Sequence, residues 1–167
     1  MKAEWERWEQ VTKYITPGHK LYRASAPNYN EGEGDRSQKL TATAVKFLTD
    51  RGVDSIISFN QYPYKDDEKK LLDAAKISYL HLPVKDFTAP TLAQLKSAII
   101  FFTGPKQHAT LVHCGYGHGR TGTGVTALQL NATKGVNPPE SEWKSQNHVE
   151  KLEQEAVLRA LRDSLRG

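Results

Sequence analysis

A mainly parallel α/β sheet of four to five strands, flanked by helices on both faces, is the fold class the sequence predicts. Three observations carry it. Short β-branched, apolar runs recur along the chain, helical stretches alternate with them, and a glycine-rich turn joins one such run to a helix. With 167 residues, 38% of them hydrophobic and 25% charged, the chain has the size and make-up of one globular domain. Residues 1–167 are therefore read as a single domain, with a helical extension over 1–19 and the core over 20–167.

Trp5, Trp8, Val11, Thr12 and Ile15 stand at helical spacing, which predicts a helix over 3–15 stopped by Pro17-Gly18. Leu21 to Ala24 reads as a short strand and Asn28 to Asp35 (NYNEGEGD) as a polar loop. A helix from about Gln38 to Arg51 ends at Gly52, a residue suited to helix termination. Val53 to Phe59 (VDSIISF) has the pattern of a buried parallel strand. Asp66 to Lys76 is a charged helix, and Ser78 to Leu82 the next strand. Pro83 to Pro90 (PVKDFTAP) is a loop bracketed by prolines. Thr91 and Gln94 form a capping box for a helix reaching about Phe102. Ala109 to His113 (ATLVH) is another buried strand, followed by helices over 120–133, 139–146 and 151–165.

No apolar run approaches the ~20 residues that span a bilayer. Met1 to Glu9 is rich in Trp and Glu, unlike a signal or transit peptide, so a cytoplasmic protein is expected, with export by a route lacking a cleaved leader left open. The net charge of +4 is spread along the chain, which argues against a nucleic-acid partner and mildly favours anionic ligands. Cys114 is the single cysteine, so neither an internal disulfide nor a CxxC metal site is available.

The chemistry concentrates in His113-Cys114-Gly115-Tyr116-Gly117-His118-Gly119-Arg120-Thr121. Strand, glycine-rich turn and helix together place an anion on a helix N-terminus. Glycines at 115, 117 and 119 let successive N–H groups of residues 115–120, Tyr116 and His118 included, curl into a nest for phosphate oxygens. Arg120 offers a bidentate fork to the same oxygens. A thiol at the base of that nest ionises readily and is a nucleophile aimed at phosphorus, with the Thr121 hydroxyl in reach of it. His113 is expected to support the loop by hydrogen bonding. His118 is either an exposed loop residue or a cationic wall for a second phosphate.

Three other readings share the segment. Cys114 alone would be an inert core thiol, but the arginine and glycines around it speak against that. Gly117-His-Gly119-Arg-Thr-Gly122 fits a dinucleotide fingerprint, yet no second strand with an acidic residue follows at the required spacing. His113, Cys114 and His118 lack a nearby fourth metal ligand, so no metal and no cofactor is expected. For the proton that the leaving oxygen needs, Asp86 is the candidate. It lies in the proline-bracketed loop after a strand, and such loops gather over one rim of a parallel sheet. Asp66 and Asp67, on a charged helix, are weaker candidates.

On the His113–Thr121 motif the sequence resembles the cysteine phosphatase superfamily, with its HCxxGxxR signature followed by Ser or Thr. Arg51 to Leu130 is most similar to small atypical dual-specificity phosphatases, and Leu21-Tyr-Arg-Ala-Ser-Ala-Pro27 resembles an opening found in many bacterial members. The resemblance covers roughly residues 20–165 and implies the cysteine phosphatase fold. Val149 to Gln154 resembles the stretch that supplies a water-positioning glutamine, which points to Gln154, with Glu150 beside it. Gly115 stands where lipid-directed relatives often carry a basic residue, whereas His118 lies where they place a second one.

The expected reaction is metal-independent hydrolysis of a phosphomonoester through a phosphocysteine. The expected substrates are phosphotyrosine, phosphoserine or phosphothreonine in a protein, the chain acting as a monomer. A phosphoinositide or inositol phosphate is the alternative substrate, and a non-catalytic phosphate-binding module the alternative class.

Overall fold

The run Ala109–His113 is buried at every position, which in a strand requires cover on both faces of the sheet. The computed structural model, which describes residues 4–167, supplies that cover. Strands β1 (Glu9–Val11), β2 (Lys20–Ala24), β3 (Ser55–Ser58), β4 (Ser78–His81) and β5 (Ala109–His113) form one sheet in the order β1-β2-β5-β3-β4. Neighbours are parallel except at β1, which closes one edge by pairing antiparallel with β2. Helices α1 (Ala42–Asp50) and α2 (Asp66–Ala74) cover one face. Helices α3 (Leu92–Phe102), α4 (Gly119–Ala132), α5 (Glu140–Ser145) and α6 (Leu152–Arg166) cover the other.

Alternation along the strands divides the core in two. Tyr22, Ile56 and Leu111 join the layer under α1 and α2, while Leu21, Ile57 and Val112 join the layer under α3, α4 and α6. The predicted fold class is the observed one. Helix α1 starts later than its sequence suggests, because the Thr41 side chain accepts from the Ala44 N–H and caps it. No helix among the described residues is long and apolar enough to cross a membrane.

The N-terminal helix expected over 3–15 is not formed. Residue 3 lies outside the described residues, and within the rest of the stretch Glu9–Val11 is strand β1. The physical reason is the open edge of β2. Pairing Glu9 with Arg23, Gln10 with Tyr22 and Val11 with Leu21 satisfies that edge, which an isolated helix of this length could not match in stability. Arg7 and Tyr14 take left-handed backbone angles (φ 54° and 59°) that interrupt a helix on either side.

The helical spacing of the tryptophans is a by-product of their packing. Trp8 stacks on Tyr22 at 5.0 Å and meets Phe47 edge-on at 4.9 Å. Trp5 is 1% exposed, and its Nε1 donates to the Ala44 carbonyl at 3.1 Å. Trp5→Ala should lower the unfolding free energy by ~3–5 kcal/mol, read from urea denaturation. A loss below ~1 kcal/mol, within the range of a surface substitution, would show that this segment is not part of the core.

Candidate active site

Strand β5 ends at His113 and helix α4 begins at Gly119, so residues 114–118 turn from the sheet centre into a buried helix. Two glycines let the turn fit. Gly117 has φ +104°, and a Cβ there would sit 2.9 Å from the backbone of Ala24 and Ser25 on β2. A Cβ on Gly115 would collide with the Asp35 carboxylate. The N–H groups of Gly115, Tyr116 and His118 donate to no acceptor among the described residues, and the first turn of α4 adds its own unpaired N–H groups. The Gly117 N–H donates to Cys114 Sγ at 3.2 Å, so the sulfur lies under the loop's N–H groups. Cys114 itself is buried.

Arg120 is held on several sides. Its Nη1 donates to Asp35 Oδ2 at 2.6 Å and to the Val84 carbonyl at 2.8 Å, and its Nη2 donates to Asp35 Oδ1 at 2.8 Å. The side chains of the Arg120–Asp35 pair are only 2% and 3% exposed. Burial works against the guanidinium charge, but the Asp35 hydrogen bonds and the nearby Cys114 and Asp86 outweigh it and raise its pKa. Nη2 also donates to Asp86 Oδ1 at 3.1 Å. The sequence-predicted nucleophile loop, fork and acid are thus brought together, with Asp86 the more exposed end, at 38%.

Behind the loop, the His113 Nδ1–H donates to the Cys114 carbonyl at 3.0 Å, and its Nε2 accepts from the Tyr64 hydroxyl at 2.7 Å. That fixes a neutral tautomer. Burial pushes the His113 pKa down to about 4, partly offset by the Cys114 carbonyl and Asp35. The supporting role expected of His113 has a concrete form: it braces the carbonyl of the cysteine.

The remaining predicted residues are placed differently from expectation. Thr121 Oγ1 is buried with no hydrogen-bond partner, so the expected bond to the sulfur is not made. Gln154 abuts Gly119 together with Glu150, but both ends of its amide are occupied. Its Oε1 accepts from the Glu150 and Lys151 N–H groups, and its Nε2 donates to the Thr88 carbonyl, tying the Asp86 loop to α6. His118 is half-buried and stacks on His148 with ring centroids 4.3 Å apart. Burial, then His148, Arg23 and Arg7, lower its pKa to about 4, so it is a neutral wall in the free protein and not a cationic one. Asp66 and Asp67 lie exposed in the first turn of α2, where they complement the helix dipole. Among the described residues no group of three His, Cys, Asp or Glu side chains is placed to hold a metal.

Several site residues were not found from sequence. Asp35, read as the end of a polar loop, opens a 3-10 turn (Asp35–Ser37) and is buried against Arg120. Arg23, in the middle of β2 and 3% exposed, donates to the Gly117 carbonyl at 3.1 Å and so fixes the loop from the side. Its signal was present: a charged residue inside an apolar strand needs a buried acceptor. Tyr29 meets Tyr116 edge-on, and burial together with Asp86, Asp35 and Cys114 pushes its hydroxyl up to about 12.

Asp35→Ala leaves Arg120 uncompensated and should reduce the unfolding free energy by ~3–5 kcal/mol, with partial recovery in saturating phosphate. Unchanged stability in urea titration would show that Asp35 does not hold the guanidinium. For His113, the unfolded chain binds a proton near pH 6.5 that the fold resists until about 4. Its contribution is complete above pH 6.5 and is lost as pH falls towards 4, by at most ~1.4 kcal/mol per pH unit. Over that window, stability should fall more steeply with acidification in wild type than in His113→Asn. Equal slopes would assign the acid sensitivity elsewhere.

Among solved structures the chain is similar to Tk-PTP in its active form, with 23% identity, 98% of this chain and 99% of that chain covered, and a TM-score of 0.65. It is similar to PTPMT1 in complex with PI(5)P at 17% identity, 95% and 96% coverage and a TM-score of 0.67. For kinase associated phosphatase with a serine at its catalytic cysteine, the values are 16%, 100% and 98%, and 0.72. At these identities the likeness is one of fold. No curated protein matches the chain. Residues 35–165 match the PTP-SAK family model, the Swiss Army Knife protein DSP-PTPase phosphatase domain, and with Cys114 at the base of its anion loop the chain belongs to this family of cysteine-based phosphatases.

Proposed function

We propose that the chain hydrolyses phosphomonoesters in two steps without a metal, acting on phosphorylated tyrosine, serine or threonine in proteins. The observation that carries this is the buried Sγ under the Gly117 N–H, at the N-terminus of α4 and beside the Arg120–Asp86 pair. The thiolate of Cys114 attacks phosphorus in line with the ester oxygen. Loop N–H groups and Arg120 hold the equatorial oxygens, the guanidinium giving up Asp86 for phosphate oxygen. Asp86 passes its proton to the leaving oxygen as the P–O bond breaks and the S–P bond forms. Water then attacks the phosphocysteine, Asp86 takes a proton from it, and inorganic phosphate leaves as the thiolate returns. Gln154 acts by holding the Asp86 loop through Thr88. The Tyr29–Tyr116 aromatic wall supports an aryl phosphate as the substrate group.

A second reading, hydrolysis of an inositol phosphate, is favoured by a basic pocket beside the loop, lined by Arg7, Arg23, His118 and His148. PTPMT1, a structure of the same fold, is seen in complex with PI(5)P. A panel of phosphotyrosine peptide, phosphoserine peptide, inositol phosphate and aryl phosphate, run with chelator, separates these readings. Cys114→Ser should abolish turnover of every substrate. Asp86→Ala should lower kcat by ~10²–10⁴, most for poor leaving groups. An Asp86→Ala enzyme as active as wild type on phosphoserine would remove Asp86 from the acid role, and phosphate binding without turnover would leave a binding module.

A further inference from the structure

Every peptide unit of the anion loop has two ends, and the proposed reaction uses one of them. In a trans unit the C=O and the following N–H point in opposite directions. The unit joining Tyr116 to Gly117 shows the consequence. Its N–H donates to Cys114 Sγ at 3.2 Å, and its carbonyl accepts from Arg7 Nε on the other side at 2.6 Å. In the next two units the carbonyls of Gly117 and His118 accept from Arg23 Nη2, at 3.1 and 3.5 Å. Three successive units thus meet a guanidinium at their outer ends. Their inner ends are the N–H groups of Gly117, His118 and Gly119, the last of these opening helix α4.

The two arginines are unusual in different ways. Arg23 and Arg120 are each 3% exposed, but Arg120 is met by the carboxylates of Asp35 and Asp86. Among the described residues the Arg23 guanidinium donates only to the two loop carbonyls, and to no carboxylate. Burial lowers its pKa, opposed by Glu9 and then by Cys114. A buried cation without a bonded counter-ion is costly, so its persistence calls for a reason. Arg7 has φ 54°, a left-handed backbone that glycine or asparagine adopts more easily. From there it holds both the carbonyl and the ring of Tyr116, with its guanidinium carbon 3.8 Å from the ring centre. Neither arginine lies in the stretch that matches the family domain, which begins at residue 35.

We infer that Arg7 and Arg23 are positioning residues whose charges act through the loop's peptide units on the phosphoryl group in the cradle, which supplies the counter-charge that Arg23 lacks. The inference rests on the hydrolase reading and deepens it. A guanidinium at a carbonyl oxygen draws electron density out of the amide, so the N–H at the other end becomes a stronger donor. The same bonds fix the planes of the units, so the N–H groups are already aimed when the anion arrives. The chain before residue 35 is on this account a working part of the anion site, with Arg7 and Arg23 on its outer side.

The test titrates inorganic phosphate into Cys114→Ser, alone and combined with Arg7→Asn, Arg7→Lys or Arg23→Met. Asparagine tolerates left-handed backbone, so Arg7→Asn removes the charge without adding strain, and lysine keeps the charge without the fork. Arg7→Asn and Arg23→Met should each raise the phosphate Kd about tenfold, the scale of one charge-assisted hydrogen bond, whereas Arg7→Lys should stay within about threefold of its parent. With Cys114 in place, the first two should lose a similar factor in kcat/KM for aryl phosphate, and Arg7→Asn should keep the wild-type urea midpoint. A role in folding alone would lower that midpoint and leave the Kd of the folded protein unmoved. A phosphate Kd unmoved by Arg7→Asn or by Arg23→Met overturns the role of that arginine. An Arg7→Lys protein that binds as weakly as Arg7→Asn overturns the action of charge. If Arg23→Met does not fold, the two Arg7 variants decide. If wild type turns over no substrate, aryl phosphate included, while the phosphate affinities differ as expected, the hydrolase reading fails and the role of the arginines stands.

Discussion

A guanidinium taken out of water must be met by acceptors, and much of this fold can be read as the answer to that demand at Arg120. The carbonyls of Phe59 and Val84, after the ends of β3 and β4, turn towards it. The chain between β2 and α1 detours over the sheet rim to deliver Asp35, whose Oδ2 also accepts from the Gln61 N–H at 2.8 Å. Gly115 has no side chain because the Asp35 carboxylate occupies that space. Of all these acceptors, Asp86 alone comes from a side chain with substantial solvent exposure. In the proposed reaction, substrate binding is therefore an exchange of one acceptor for another at a group already stripped of water, and the costly desolvation is completed during folding.

Around that centre lies a layer that supports the loop. Trp5 meets the His113 ring edge-on at 5.8 Å, Tyr64 donates to the same imidazole, and His113 braces the Cys114 carbonyl. Arg23 performs the same service for the carbonyls of Gly117 and His118, the latter at 3.5 Å. These contacts aim carbonyl oxygens outward, which leaves the opposite ends of the peptide units, the N–H groups, facing the cradle. The N-terminal segment is part of this machinery, since it contributes Trp5 on one side of the sheet and Arg7 beside the loop.

The parts visible in the sequence are those decided locally. Short runs rich in apolar and aromatic residues gave β3, β4 and β5 within a residue or two, and the Thr91–Gln94 box marked the start of α3, because strand pattern and capping are written in adjacent residues. Cys114 and Arg120 were visible for the same reason, since one turn carries both. Asp35 was not, because its partner stands 85 residues away and a carboxylate in a polar loop looks like any other. β1 was misread as helix because its partner strand lies across a turn, and tryptophans at spacing three mimic a helical stripe. The charge of His118 was equally out of reach, since it depends on burial in the folded protein and then on His148 from a different part of the chain.

The strand order β1-β2-β5-β3-β4 carries one further consequence. β5 stands between β2 and β3, so the two parts of the sheet made earlier during synthesis have no direct pairing until β5 is inserted. Until then the inner edges of β2 and β3 are open, and the long-range contacts that close them make this a slow step in folding. The strand that joins the halves ends in Cys114. Chain assembly and the creation of the nucleophile's surroundings are therefore one event, and a nascent chain that has not completed its sheet has no cradle with which to bind phosphate.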